Sequence, residues 1–229
     1  MLYIITFHTS FPNVKQNVVD YYMPAKSAIK APRTYHHGDL RDALIDAALK
    51  LVETDGPEAV NFNALAKTLG VSQAAPYRHF ADREALLTAV ATKAFQTTSA
   101  NFRRKLKRKS TRSKLAQLAH AYLNFGLNEF GIYRLLYMSR LLRHADTNSD
   151  LYRAADAGFD LVLETIDTAL DDMTRRRIAL RFWTSLHGAV MLAEQGILPA
   201  RIHQISVNEL VDELIADTER AITTAAKGH

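Results

Sequence analysis

The chain has 229 residues, 48% of them hydrophobic, enough for one large packed domain or two modest ones. It has no cysteine, which excludes a disulfide framework and a thiolate zinc site and fits a reducing cytoplasm. The net charge of +5 is unevenly spread: residues 94–114 hold eight basic and no acidic side chains, so the sum alone is weak evidence for a polyanionic partner. With only six prolines and nine glycines, long stretches rich in Ala, Leu, Arg, Glu and Lys point to an all-α fold.

Residues 1–22 lack the basic flank and cleavage site of a signal peptide and the sustained apolar run of a membrane span. Met23 opens an ordinary polar leader, so the preceding residues are expected to be a translated leader or a disordered arm. Residues 24–38, with Lys26, Lys30, Arg33, His36, His37 and two prolines, have the composition of a flexible basic arm. The adjacent histidines are followed by Asp39 but by no further ligand at usable spacing, so no metal or other cofactor is expected. Asp39 then caps a first helix with Leu40, Leu44, Ala47, Ala48 and Leu51 on one side, closed by Asp55, Gly56 and Pro57.

Asn61 is a good N-cap for a second helix whose apolar positions are Phe62, Leu65, Ala66 and Leu69. Gly70 ends it, Val71 plugs the angle, and the Ser72 hydroxyl is placed to cap a short third helix, Gln73–His79. That is helix-turn-helix grammar. Pro76 is expected within the first turn of the third helix, where its missing N–H does little harm. This helix offers Gln73, Tyr77, Arg78 and His79 as hydrogen-bonding groups for base edges and phosphates, and Ala74 and Ala75 allow close approach. The bland alternative is an ordinary helical hairpin, with Phe80 in the core, Tyr77 either packed or facing outward, and His79 capping the helix. Asp82 caps the next helix, with Leu86, Leu87, Val90 and Ala94 inward and Arg83 placed to reach an anion.

From His36 to Val90 the sequence closely resembles the N-terminal DNA-binding domain of TetR-type transcriptional regulators. The resemblance is carried by L-x-x-A-A-L from Leu44, the D-G loop, L-A-x-x-L-G-V-S from Leu65, the Y-R-H-F run from Tyr77 and D-R-E-A-L-L from Asp82. It implies a three-helix head, a connecting fourth helix, a larger helical ligand-binding body and a homodimer. Ser72–His79 would read the major groove, with Ser72, Gln73, Ala74 and Arg78 facing DNA and Gln73 the best candidate for a direct base contact. Tyr77, His79, Arg83 and the amide end near Asn61 would contact phosphate, and His36 and His37 would approach from the arm. Asn61 and Asn63 depart from the Ser or Thr and the charged residue frequent in relatives, which leaves the cap intact and the phosphate contact there open.

The basic block, Arg103–Lys114, reads as a solvated helix end or loop, with auxiliary contact to DNA or an acidic partner as the alternative. Bundle periodicity returns with Leu115, Leu118, Ala119 and Tyr122, then Ile132, Leu135, Leu136 and Met138, then Phe159, Val162, Leu163, Ile166 and Leu170. Arg176–Gln195 is apolar around most of its circumference, which predicts burial on two sides. Ser206–Glu209 is a capping box opening a last helix; the two final helices are expected to pair across a two-fold axis. Trp183, His187 and Gly188 form a W-x-x-x-H-G pattern that resembles one TetR-type body. Tyr122, Trp183 and His187 are the candidate ligand contacts, although His187 also reads as a hydrogen-bonded core residue, and Gly188 as a point of close helix approach.

The expected organisation is an arm (1–35), a DNA-binding head (36–99, motif 62–81) and a ligand-binding and dimerisation body (100–229). The expected function is a cytoplasmic, ligand-responsive regulator, a repressor released from palindromic double-stranded DNA by a small-molecule effector. There is no glycine-rich phosphate loop after a strand, nucleophile elbow or metal-ligand cluster to suggest an enzyme. An architectural or partner-binding helical protein using the basic block is the alternative.

Overall fold

The computed structural model describes residues 40–166, 169–198 and 205–227. The calls on the N-terminal arm, on Asp39 and on His36 and His37 lie outside the described residues. Helix α1, Leu40–Asp55, buries Leu40, Leu44, Ala48 and Val52 along one stripe. It gives way to a short 3-10 turn, Pro57–Ala59. Helix α2, Phe62–Leu69, begins as its sequence dictates: Asn61 Oδ1 accepts the Ala64 N–H at 2.8 Å. It ends at Gly70, whose φ of 67° is the left-handed conformation that costs other residues energy. The Val71 N–H then reaches back to Ala66 O (3.0 Å) and the Gly70 N–H to Lys67 O (3.3 Å), satisfying carbonyls the helix leaves open.

Helix α3, Arg83–Leu106, is a single 24-residue rod capped by Asp82, whose Oδ1 accepts the Ala85 N–H at 2.8 Å. At about 1.5 Å per residue it is roughly 36 Å long. Its buried positions, from Leu86 through Val90, Ala94 and Phe95 to Phe102, pass from the core shared with α1 to the core of the body. The rod runs unbroken through residues 99 and 100, where the sequence reading set the head's end.

The body adds α4 (Lys114–Asn128), the short α5 (Phe130–Tyr133), a π-helical turn (Arg134–Met138), α6 (Leu141–His144) and α7 (Asp150–Leu163), then α8 (Asp172–Glu194) and α9 (Val207–Lys227). Helix α3 lies along α7 and against α4, while α8 packs on α9 and α4. The predicted capping box opens α9, with the Ser206 N–H donating to Glu209 Oε2 at 2.6 Å and the Glu209 N–H to Ser206 Oγ at 3.2 Å.

One expectation is corrected. Ile132, Leu135 and Leu136 are buried, but Met138 is 47% exposed. The π turn, closed by the Ser139 N–H on Arg134 O at 3.1 Å, inserts a residue into the 3.6 period and rotates Met138 outward. Helix α8 buries Phe182, Leu186, Ala189 and Val190 on one side within this chain, while Leu180 and Leu192 stay exposed.

Candidate functional site

The segment after Gly70 folds more tightly than expected. In an α-helix the Ser72 carbonyl would accept from residue 76, but Pro76 has no N–H to give. Ser72 O takes the Ala75 N–H instead (3.0 Å), Ala75 O takes the Arg78 N–H (3.2 Å), and Pro76 O is shared by the N–H groups of His79 (3.0 Å) and Phe80 (3.1 Å). The result is two successive tight turns with a 3-10 helix at Pro76–Arg78. Ser72 contributes its carbonyl rather than a hydroxyl cap, which corrects the sequence reading.

Pro76 and Phe80 are buried and anchor the segment, while Ser72, Gln73, Ala74, Tyr77 and Arg78 are exposed and His79 is half-buried. Gln73, Ala74, Tyr77 and Arg78 are therefore all open to solvent. Tyr77 is 59% exposed yet braced, its ring edge-on to Phe62 at 4.6 Å. Arg41, missed in the sequence reading, stands over the Phe80 ring with its guanidinium 5.2 Å from the centroid. Arg83 ties the head together: its Nε donates to Val60 O (2.7 Å) and its Nη2 to Pro57 O (2.5 Å). Those two donors are already committed, so only the remaining guanidinium N–H groups are open to an anion.

Helix α5 and the π turn touch the head on one side and the body's interior on the other. Gly131 lies so close to α1 that a Cβ there would be 2.0 Å from the Val52 carbonyl oxygen. Arg134 donates to Glu58 at 2.5 Å. Three residues on, Tyr137 lines a cavity in the body.

That cavity, about 460 Å³ and partly open to solvent, is lined by α3, α4, the π turn, α6, α7 and α8, with Phe95, Phe102, Tyr122, Tyr137, Phe159 and Trp183 among its walls. Tyr122 and Trp183, two of the candidate ligand contacts, line it. His187 stands behind them, stacked on Trp183 at 5.5 Å and on Tyr133 at 5.3 Å. The Tyr133 hydroxyl lies 2.5 Å and the Tyr122 hydroxyl 3.1 Å from His187 Nδ1. Burial pushes His187 below the usual imidazole range, which favours the neutral ring near pH 7. Burial, reinforced by the neighbouring phenols, raises Tyr122 well above the ordinary phenol range. It raises Tyr137 as well and Tyr133 to about 12. All three phenols are uncharged hydrogen-bonding groups.

The basic block completes α3. Arg103, Arg104 and Lys105 occupy its last turn, where cations complement the helix dipole, and Arg103 pairs with Glu164 at 3.2 Å. Ser113 caps α4 and also donates to Glu219 at 2.5 Å. Among the described residues no group of histidine, aspartate and glutamate is placed to hold a metal ion, and no helix is long and apolar enough to cross a membrane.

Residues 44–90 match the family described as bacterial regulatory proteins of the tetR family, and residues 115–218 match the tetracyclin repressor-like C-terminal domain. The chain belongs to the TetR family of transcriptional regulators. It is 25% identical over 183 residues to the uncharacterized HTH-type transcriptional regulator Rv0681 of Mycobacterium tuberculosis, covering 80% of this chain and 83% of that one. A solved structure of a protein of unknown function from Rhodococcus sp. RHA1 superposes with a TM-score of 0.66 at 31% identity, over 85% of this chain and 99% of that one. The fold is also that of the regulator FadR from Bacillus subtilis, solved with stearoyl-CoA: TM-score 0.55, 14% identity, 80% and 97% covered.

Proposed function

We propose that this protein is a homodimeric repressor whose grip on a palindromic operator is released when a small molecule enters the body cavity. The observation that carries the reading is the path of α3. Its capped N-terminus supports the exposed Gln73, Tyr77 and Arg78, and its middle supplies Phe95, Ser99 and Phe102 to the cavity wall. A ligand that packs better against one tilt of α3 than another therefore biases the position of the reader, and only that difference in affinity drives release.

On this reading Gln73 pairs with a base edge and Arg78 with a base or phosphate. Tyr77, His79, Asn61, Ser72 and the open part of Arg83 position the backbone, joined by Arg41, and Ala74 lets the turn sit close. His36 and His37 would act from the arm. The head would comprise residues up to about 99 and the body the remainder, and the protein would work in the cytoplasm where the DNA is.

The dimer would form through α8 and α9. Supporting this, Leu180 and Leu192 are 52% and 40% exposed. Gly188, on the same helix, has nothing within 4 Å of where a Cβ would sit, so the close approach expected there is absent within one subunit and available to a second. Two readers about 34 to 36 Å apart would then occupy successive major grooves.

The test is a binding titration on a palindromic fragment from the gene's own upstream region against a scrambled fragment of equal length, at two salt concentrations. A repressor holds the first at least a hundredfold more tightly. Equal binding to both, lost together as salt rises, would show that only the charge of the chain is engaged.

A further inference from the structure

We propose that the body cavity is built for a lipophilic organic cation, a bulky aromatic or alicyclic ammonium-like molecule carrying one positive charge. The inference rests on the reading of this cavity as the effector site. Three properties of its wall carry it.

The first is aromatic density. Phe95, Phe102, Tyr137, Tyr152, Phe159 and Trp183 come from four different elements and converge on one space of about 460 Å³, within the range of small-molecule sites. Ring faces are electronegative and attract a cation laid against them, more strongly as water is excluded. The second is the sign of the charge. Asp156, on α7, is the only charged side chain on the wall among the described residues, and no described lysine, arginine or histidine lines it. Asp156 makes no ion pair in the described residues. An anion entering here would meet π faces and a carboxylate, with no cation to offset its lost hydration. The third is the position of Asp156 on the solvent-exposed side of the wall beside Tyr152 and Phe159, where it can meet a charged head group at the mouth while the body of the molecule lies against the rings. A neutral lipophile would use the rings and leave the carboxylate idle; a cation uses both.

The chain supplies its own reporter, because Trp183 is the only tryptophan in the sequence and stands on the cavity wall. The experiment titrates full-length protein with tetraphenylphosphonium, tetraphenylborate and triphenylphosphine oxide, which present similar phenyl surfaces with positive, negative and no net charge, and follows Trp183 fluorescence. The expected result is that the phosphonium binds at least about tenfold more tightly than the borate. Asp156→Asn should weaken the phosphonium by roughly fivefold to tenfold and leave the phosphine oxide within about twofold. Equal or tighter binding of the borate, an indifferent Asp156→Asn, or no response of Trp183 to any of the three would each overturn the proposal. A parallel operator titration separates the two readings. Phosphonium that binds at Trp183 without releasing DNA refutes the repressor mechanism and leaves the cation preference standing, whereas release by the borate alone does the reverse.

Discussion

Replacing Gly131 with alanine tests the junction between head and body without touching DNA-facing residues or the cavity wall. The new Cβ would sit 2.0 Å from the Val52 carbonyl oxygen, where ordinary contact begins at 3.4 Å, so α5 and α1 must part by more than an ångström. The oxygen has little freedom to yield, because it accepts the Gly56 N–H at 3.1 Å and so holds the end of α1 in place. Alanine is favoured over glycine in a helix by up to about 1 kcal/mol. Overpacking costs typically 1 to 3 kcal/mol, and movement of α5 also strains the Arg134 to Glu58 pair, which contributes under about 1 kcal/mol. The net expectation is a loss of about 1 to 2 kcal/mol, or roughly 2 to 8 °C in Tm for a domain of this size. Thermal unfolding followed by circular dichroism measures it, and operator titration should show weakened binding as the seat of α1 shifts. An unchanged or raised Tm would refute the packing argument, since propensity alone would then account for the substitution.

Gln73→Ala and Arg78→Ala should each weaken operator binding by about 1 to 3 kcal/mol and relax preference at the base they contact, read by titration against operators changed one base pair at a time. Leu192→Glu should place one new charge from each subunit on the proposed dimer face and halve the mass measured by light scattering, leaving the cavity wall untouched. Lowering the pH should destabilise the body through His187. Its folded pKa lies below the unfolded value, so the unfolded chain takes up the proton first and stability is lost from about pH 6.5 downward until the folded ring also titrates. Burial raises Glu129 and Glu194, which works in the opposite direction, so the comparison is between wild type and His187→Gln at pH 7.5 and 5.5. The variant should lose less Tm than wild type across that interval.

The ends of helices were legible in the sequence because a cap is a local matter. Asn61, Gly70, Asp82 and the Ser206 to Glu209 box all sit within four residues of the groups they satisfy. The reader's true shape was also encoded locally, but it needed the carbonyl of Ser72 to be followed to its missing donor at Pro76 rather than the proline merely tolerated. The cavity was harder. Tyr122 and Trp183 stood out as aromatic residues on helices, yet Phe95, Phe159 and Tyr137 look like any bundle core until four elements are assembled around an unfilled space. Tyr133 and Tyr137 were missed because the π turn breaks the very periodicity used to sort inward from outward positions. Arg41 carried no signal at all, since its place over Phe80 depends on how α1 crosses the reader.

Lys93 on α3 and Asp46 on α1 form an ion pair that fastens the first helix to the long one, so the head follows α3 as it moves. From Phe95 on the cavity wall to Arg83 at the head is twelve residues of uninterrupted helix, a lever arm of about 18 Å. A pivot of about 5° at Phe95 swings the far end by roughly 1.6 Å, and in the proposed dimer two subunits moving in opposite senses would change the span between readers by about 3 Å. In the proposed mechanism, displacement of one ring by an occupant of the cavity would thus be converted into mismatch with the DNA repeat, without any part of the chain having to unfold.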